Sequence, residues 1–450
     1  MPAAQRPLTL RFLVFLLPLM LSNVLQSLNG TINTIYIGQL IGVEALAAVS
    51  VFFPIMLLLI SFIIGLASGA TVLIGQAWGA RNVDKIKEIT GTTLVASFLG
   101  GLVIAVLGGF FAGDIMTLLG TPVAIAGLAT DYGRVMLIGM PGLFIFMVVT
   151  SVLRGVGDTV TPLVSLVISI LCGLLITPAL ILGWGGLPQL GVVSAAVATI
   201  AGFLMVLVFL FFFLRWRKHP MAPDRVLLGY LRINGPLFLT VLRLGIPAGI
   251  QMIVASLAGI IVVGLVTRFG SEATAAYGAL NQVLGYVQFP AMSIAIASSI
   301  FAAQAIGAGD VSRLGAITRT GLIMNLFLTG GLVVIAYLFS ERLVALFITD
   351  AEVIALTQDL LHIVLWSVVL FGMAQTFTGV MRAAGTVWVP MFIGLGAILL
   401  IEVPGAIYLS RTIGLEGIWI AYAAAFSAMM LMQGAYYWFV WRKRPIRKLV

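Results

Sequence analysis

The sequence predicts an all-α integral membrane protein with twelve transmembrane helices, arranged as two parallel-repeat six-helix lobes around a central cavity. Three observations predict this fold. Of the 450 residues, 61% are hydrophobic and only 9% are charged, whereas a soluble domain carries about 25% charged residues. The apolar residues form long uninterrupted runs, and one set of motifs occurs twice. A chain of this composition cannot cover a soluble surface, so it must lie in lipid.

The apolar runs, bounded by glycine, proline or charged residues, predict helices of ~20–28 residues, long enough to cross a bilayer. Six fall in each half of the chain, which makes the halves parallel and relates them by an axis along the membrane normal. The predicted spans are 12–38, 46–75, 90–112, 124–153, 160–183, 191–216, 237–267, 274–303, 314–339, 353–381, 388–410 and 417–441.

The repeat is visible in motifs whose two copies lie 228 residues apart. Gln76-Ala77-x-Gly79-Ala80 recurs as Gln304-Ala305-x-Gly307-Ala308, and Arg154-x-x-Gly157-x-x-x-x-Pro162 recurs as Arg382-x-x-Gly385-x-x-x-x-Pro390. We therefore predict an N-lobe at residues 1–225, followed by a basic linker, and a C-lobe at residues 226–450. Two such bundles can move a ligand across a bilayer by rocking against each other around a midplane site.

Basic residues predict the orientation of the chain. Of the 24 Lys and Arg residues, 20 fall on the side of the predicted helices that both termini share, and four (Arg134, Arg268, Arg342 and Arg411) fall on the other. Basic loops stay in the cytoplasm, so we expect a multi-pass protein of the cytoplasmic (inner) membrane with both termini inside. Membrane topology thus explains the net charge of +9, and no nucleic-acid partner is expected.

Cysteine and histidine are too scarce for several kinds of site. One cysteine and two histidines allow neither an intrachain disulfide framework nor a Cys/His metal cluster. The tryptophans are expected to anchor the helices at the membrane interface. The expected anchors are Trp366, Trp388, Trp419, Trp438 and Trp441.

Three motifs carry a family resemblance. The stretches Leu153-Arg154-Gly155-x-Gly157-Asp158-Thr159-x-x-Pro162, Gly75-Gln76-Ala77-x-Gly79-Ala80 and Gly414-Leu415-Glu416-Gly417-Ile418-Trp419 resemble the multidrug and toxic compound extrusion (MATE) family, in order and over nearly the whole chain. The resemblance implies two six-helix lobes around a V-shaped cavity. It also implies export of small organic molecules, often cationic and amphipathic, in exchange for protons or sodium ions. We expect a monomer in membrane lipid, with no cofactor beyond the coupling ion H⁺ or Na⁺.

The chain departs from that family at the positions where the family often carries carboxylates. Those positions hold Asn33, Thr177, Ala255 and Phe371. Asn33 and Thr177 cannot titrate, although their oxygens could ligate Na⁺ weakly. The family's coupling chemistry therefore does not transfer residue by residue, and the choice between H⁺ and Na⁺ stays open.

Polar residues inside the predicted spans are the candidates for a substrate cavity. Four on the first helix are spaced so that they share one face, and that face must point at protein or at a water-filled cavity. It either lines the cavity or hydrogen-bonds to neighbouring helices. The candidates are Ser22, Gln26, Asn29, Asn33 and Thr177 in the first half, with Gln251, Asn281, Gln282 and Gln288 in the second.

Glu402 is the only carboxylate well inside a predicted span, and an intramembrane carboxylate is a functional candidate by default. It either carries the coupling ion or makes a structural contact. Asp359 and His362 lie three residues apart, on one helix face, and form either a second candidate, a proton relay, or a solvated helix end.

A lipid-linked precursor flippase is the alternative to an exporter, but the chain lacks basic residues deep in a span. An enzyme is not expected, because no nucleophile–base pair or acidic metal motif is present.

Overall fold

A computed structural model describes residues 7–450, and all regular structure in that range is helical. Ten helices are long and apolar enough to cross a membrane, and two bent helix pairs raise the number to twelve. The predicted fold class is confirmed. The helices are α1 Leu8–Leu40, α2 Val43–Gly79, α3 Val83–Leu118, α4 Val123–Ile138, α5 Met140–Gly155, α6 Val160–Leu182, α7 Val193–Trp216, α8 Arg225–Gly229, α9 Gly235–Val266, α10 Ser271–Gly307, α11 Leu314–Leu338, α12 Ser340–Ala345, α13 Ala351–Val364, α14 Ser367–Ala383, α15 Trp388–Gly396, α16 Val403–Thr412 and α17 Leu415–Ala435.

The fourth and tenth predicted spans are each bent rather than continuous. Helices α4 and α5 meet at 49°, and α13 and α14 meet at 42°. Pro141 lies in the first turn of α5, where its missing N–H is tolerated but the preceding helix cannot continue. The second bend has no proline. There, the Asn325 side chain donates a 2.8 Å hydrogen bond to the Val369 carbonyl, just after the break.

The repeat also appears in the backbone conformation. Gly157 and Gly385 occupy equivalent motif positions with φ of 94° and 82°, and Gly42 and Gly270 precede α2 and α10 with φ of 122° and 101°. Glycine adopts positive φ at no steric cost. The same turns are therefore made by the same residue type in both copies of the repeat.

The chain divides into two compact units. Among the described residues, one consists of Leu21–Ile246, here called the N-unit, and the other of residues 7–20 with Pro247–Val450, here called the C-unit. Each has its own apolar interior. In the C-unit, α10, α13, α14 and α17 bury a large cluster that includes Leu280, Leu361 and Trp419.

The segment between α7 and α9 is fastened to α3 within the N-unit. Lys87 forms an ion pair with Asp224, and Asn234 donates a 2.7 Å hydrogen bond to Glu88. The Tyr230 carbonyl lies where a Cβ on Gly91 would be, so glycine at this position permits the close approach. These contacts hold the predicted linker against the end of one helix.

Candidate functional site

Glu402 lies in a distorted stretch of helix. Residues Ala397–Glu402 form a π-helical turn between α15 and α16, in which the Val403 N–H bonds to the Ile398 carbonyl five residues earlier. Pro404 follows in the first turn of α16, and proline supplies no N–H to a helical ladder. Single π turns inside α-helices are frequent at functional sites.

The Glu402 side chain is buried and has a defined partner. It is 6% exposed, and it is the one buried carboxylate among residues 7–450. The Tyr422 hydroxyl, on α17, interacts electrostatically with the carboxylate. A carboxylate in lipid is costly unless it is paired or hydrogen-bonded, so Tyr422 offsets part of that cost.

Aromatic rings extend this contact toward the surface of the C-unit. The Tyr422 ring centroid lies 5.4 Å from that of Trp419, which lies 5.7 Å from that of Tyr277. The Asn281 side-chain amide donates a 3.1 Å hydrogen bond to the Tyr277 backbone carbonyl, and Asn281 is exposed. We call these five residues the C-unit polar cluster. The structure therefore links two sequence-predicted residues, the coupling candidate Glu402 and the cavity candidate Asn281, through aromatic side chains.

Trp419 does not face lipid in the way that the sequence predicts for an interfacial anchor. It is fully buried, and its indole nitrogen has no hydrogen-bond partner. Trp441 is also buried, whereas Trp366, Trp388 and Trp438 are exposed. The prediction of a lipid-facing anchor is wrong for the two buried rings, which pack in the core against the rings of Tyr277, Tyr422 and Tyr437.

Asp359 and His362 lie on α13 and are both exposed. The His362 imidazole lies 3.1 Å from the Ser340 hydroxyl and its ring stacks near Tyr337. Among residues 7–450, no ion pair joins His362 to Asp359, and neither contacts Glu402 by a hydrogen bond or ion pair. A proton relay through Asp359 and His362 stays a prediction.

The other C-unit candidates differ in exposure. Gln251 is half-buried, and its amide occupies the space beside Gly394 on α15. Gln282 is exposed and Gln288 is half-buried. These side chains can offer amide donors and acceptors at partly open positions.

The N-unit candidates are neutral throughout. Along α1, Ser22 is buried, Gln26 is exposed, and Asn29 and Asn33 are half-buried. Thr177 is 1% exposed, and its hydroxyl has no hydrogen-bond partner. Within Leu21–Ile246 no buried side chain is a carboxylate, so the sequence-predicted candidates of this unit offer amide and hydroxyl groups only.

No group of three or more His, Cys, Asp or Glu side chains in the described part of the chain is placed to hold a metal ion.

Sequence reasoning missed Tyr422 and Tyr277, and also the buried Asn325. The available signal was the need of Glu402 for a polar partner, but no sequence spacing indicates that a residue on the next helix supplies it.

Comparisons with known proteins agree with the repeat and the fold. The MatE family profile matches the chain twice, at residues 18–179 and 247–408. The chain is 44% identical over 451 residues to the "Probable multidrug resistance protein YoeA" of Bacillus subtilis, covering 100% of this chain and 96% of that protein. It is 27% identical over 425 residues to a second B. subtilis protein, the "Probable multidrug resistance protein YpnP", covering 92% of each.

Solved structures show the same fold. A crystal structure of the Vibrio cholerae MATE transporter VcmN, a point mutant, superposes with a TM-score of 0.89 at 21% identity, covering 97% of this chain and 98% of that one. Its likeness concerns the fold. The two family matches and the full-length relative together show that the chain belongs to the MatE family, which is a family of membrane transporters and not of enzymes.

Proposed function

We propose that the protein is a secondary-active exporter of small organic compounds, amphipathic or cationic, that alternates access between two lobes. Two observations support the proposal. The family profile matches each half of the chain, and the relatives at 44% and 27% identity are both named as probable multidrug resistance proteins. A parallel internal repeat is the architecture that supports such rocking.

The coupling ion acts, in this proposal, at Glu402 in the C-unit. The single observation that carries it is that Glu402 is the one buried carboxylate among the described residues. A group that gains and loses a proton changes its charge, and the two charge states favour different surroundings in lipid. The neutral N-unit residues Asn33 and Thr177 cannot do this, so sodium bound by their oxygens is the competing scheme.

Substrate contacts are assigned to the partly exposed polar positions. In the N-unit these are Gln26, Asn29 and Asn33, and in the C-unit they include Gln251 and Asn281. Amides offer both donors and acceptors without a fixed charge, which suits varied organic substrates. Ser22 and Thr177 are buried and are not assigned to substrate contact.

A lipid-linked precursor flippase is less favoured. Such a protein would need a strongly basic cavity for pyrophosphate, yet 20 of the 24 Lys and Arg residues fall on one predicted side of the membrane. The same asymmetry supports a cytoplasmic-membrane protein with both termini inside. Labelling of a cysteine placed at residues 217–235 by a membrane-impermeant reagent added from outside the cell would contradict that orientation.

The experiment that tests the proposal is transport by the purified protein in liposomes. We expect a fluorescent organic cation to move uphill when a proton gradient is imposed and to stop when the gradient is dissipated. A sodium gradient at constant pH should drive none. Uphill movement with sodium alone would show that sodium bound by neutral oxygens, and not a proton on Glu402, couples transport. No uphill movement with either gradient would refute coupled export.

A further inference from the structure

A short basic segment follows the last membrane helix. Residues 441–450 carry five basic side chains within seven positions, all of them exposed. The five are Arg442, Lys443, Arg444, Arg447 and Lys448. We call residues 441–450 the basic strap.

The strap is fastened to the C-unit by its uncharged residues. The Trp441 indole donates a 3.0 Å hydrogen bond to Thr386, and its ring stacks on Tyr437 with centroids 5.2 Å apart. Ile446 packs against the apolar cluster that includes Phe301. The strap therefore has a defined path, because its apolar and aromatic side chains point inward while its cations point outward.

Two turns of the C-unit lie beneath the strap. The Leu449 side chain lies against Gly385, and the Lys448 amino group lies near Gly309. Both glycines have positive φ, at 82° and 80°, and each closes a motif loop. The nearby carboxylate of Asp310 is already engaged by Ser312 and Arg313, so it leaves the strap's cations largely uncompensated.

The position of the strap relates it to lipid. It begins where the span Leu415–Lys443 ends, so its cations lie at the depth of lipid headgroups. Arg442 lies over the ring of Trp438, 5.0 Å from its centroid, and Trp438 is 48% exposed. Tryptophan and arginine together at a helix end are typical of the headgroup region. Clusters of four to eight Lys or Arg directly beside a membrane helix bind anionic lipid.

We propose that the basic strap is a binding surface for the headgroups of anionic phospholipids, and that bound lipid steadies the two motif turns beneath it. This inference does not depend on what the protein transports. The competing explanation is that the five cations only set membrane topology during insertion, in which case the folded protein should not distinguish anionic from zwitterionic lipid at this place.

The test uses the full-length protein purified in detergent, titrated with phosphatidylglycerol or phosphatidylcholine while its melting temperature is followed. One variant replaces all five basic residues by Gln. A control variant exchanges Arg for Lys and Lys for Arg at the same five positions and so keeps the charge. Trp441, Ile446 and Leu449 stay unchanged in both.

We expect phosphatidylglycerol to raise the melting temperature of the wild type and of the charge-preserving control more than phosphatidylcholine does, with the difference lost in high salt. Each basic residue near an anionic surface contributes about five-fold in affinity, so the Gln variant should need at least about ten-fold more phosphatidylglycerol for the same shift. An unchanged titration in the Gln variant would overturn the proposal. If that variant does not fold, Arg447→Gln with Lys448→Gln and a count of retained phosphatidylglycerol by native mass spectrometry decide between the same two outcomes.

Discussion

The side chain of Asn325 is predicted to hold the bend in the tenth membrane span. It is fully buried. Its amide nitrogen donates to the Val369 carbonyl at 2.8 Å, and its amide oxygen accepts from the Thr329 hydroxyl at 3.0 Å. Gly372 lies so close that a Cβ there would overlap the Asn325 amide. Replacing Asn325 by Ala removes both hydrogen bonds and the atoms that fill this space.

The size of the effect follows from these contacts. An interhelical hydrogen bond in a membrane protein contributes about 0.6 kcal/mol on average and up to about 1.7 kcal/mol. The truncated side chain adds a cavity and leaves the Thr329 hydroxyl without its buried acceptor, each adding destabilisation. We therefore expect Asn325→Ala to lower the free energy of unfolding by roughly 1–3 kcal/mol. Gln282→Ala, at an exposed position on α10, should change it by less than about 0.5 kcal/mol.

The assay is unfolding of the purified protein in mixed detergent micelles, read by the loss of helical signal. Thr329→Val should fall between the two variants, because it removes one hydrogen bond and keeps the volume. If Asn325→Ala unfolds like Gln282→Ala, the amide does not hold the bend and the reasoning is refuted.

Three further changes are predicted. Hydrogen bonding to Lys87 lowers the pKa of Asp224, so the linker contact should be complete at neutral pH and be lost as the pH falls through that lowered pKa; limited proteolysis of residues 217–235 should then increase. Tyr422→Phe removes the hydroxyl that interacts with Glu402 and should shift the pH profile of transport, whereas Tyr408→Phe, at a 68% exposed position, should leave it unchanged. Asn33→Leu should alter the relative efflux of different substrates by several-fold while the melting temperature stays the same.

Each of these has a contradicting result. Proteolysis of the linker that does not depend on pH, or that responds equally in Lys87→Met, would show that the Lys87–Asp224 ion pair does not hold the linker. Equal pH profiles for the two tyrosine variants would make Tyr422 a packing residue. A lower melting temperature with unchanged substrate preference in Asn33→Leu would show that the α1 stripe packs between helices rather than lining a cavity.

The architecture was predictable because lipid leaves few choices. Backbone groups in a bilayer must be satisfied within each helix, so the length and spacing of apolar runs determine the number of spans. The motifs repeated 228 residues apart predicted that the chain contains two copies of one helical unit. The bends at Gly139 and after Val364 were not predicted. The second has no proline and depends on a hydrogen bond from Asn325 on another helix.

The candidate site was predictable only in part. Glu402 could be singled out because a carboxylate in a long apolar run is rare. Its partner Tyr422 could not, because the pairing depends on how α16 and α17 pack, with Gly405 close to Ala421. Trp419 was assigned to the interface from residue type alone, while it is buried in part by Tyr277 from α10.

If Glu402 carries the coupling ion, removing its charge should uncouple transport from the proton gradient. Glu402→Gln and Glu416→Gln make the same chemical change in the C-unit, at a buried and at an exposed position. In liposomes, we compare proton-driven uphill transport with exchange of labelled for unlabelled substrate in the absence of a gradient. We expect Glu402→Gln to keep exchange and lose uphill transport, while Glu416→Gln keeps both. Uphill transport by Glu402→Gln at the wild-type rate would contradict it.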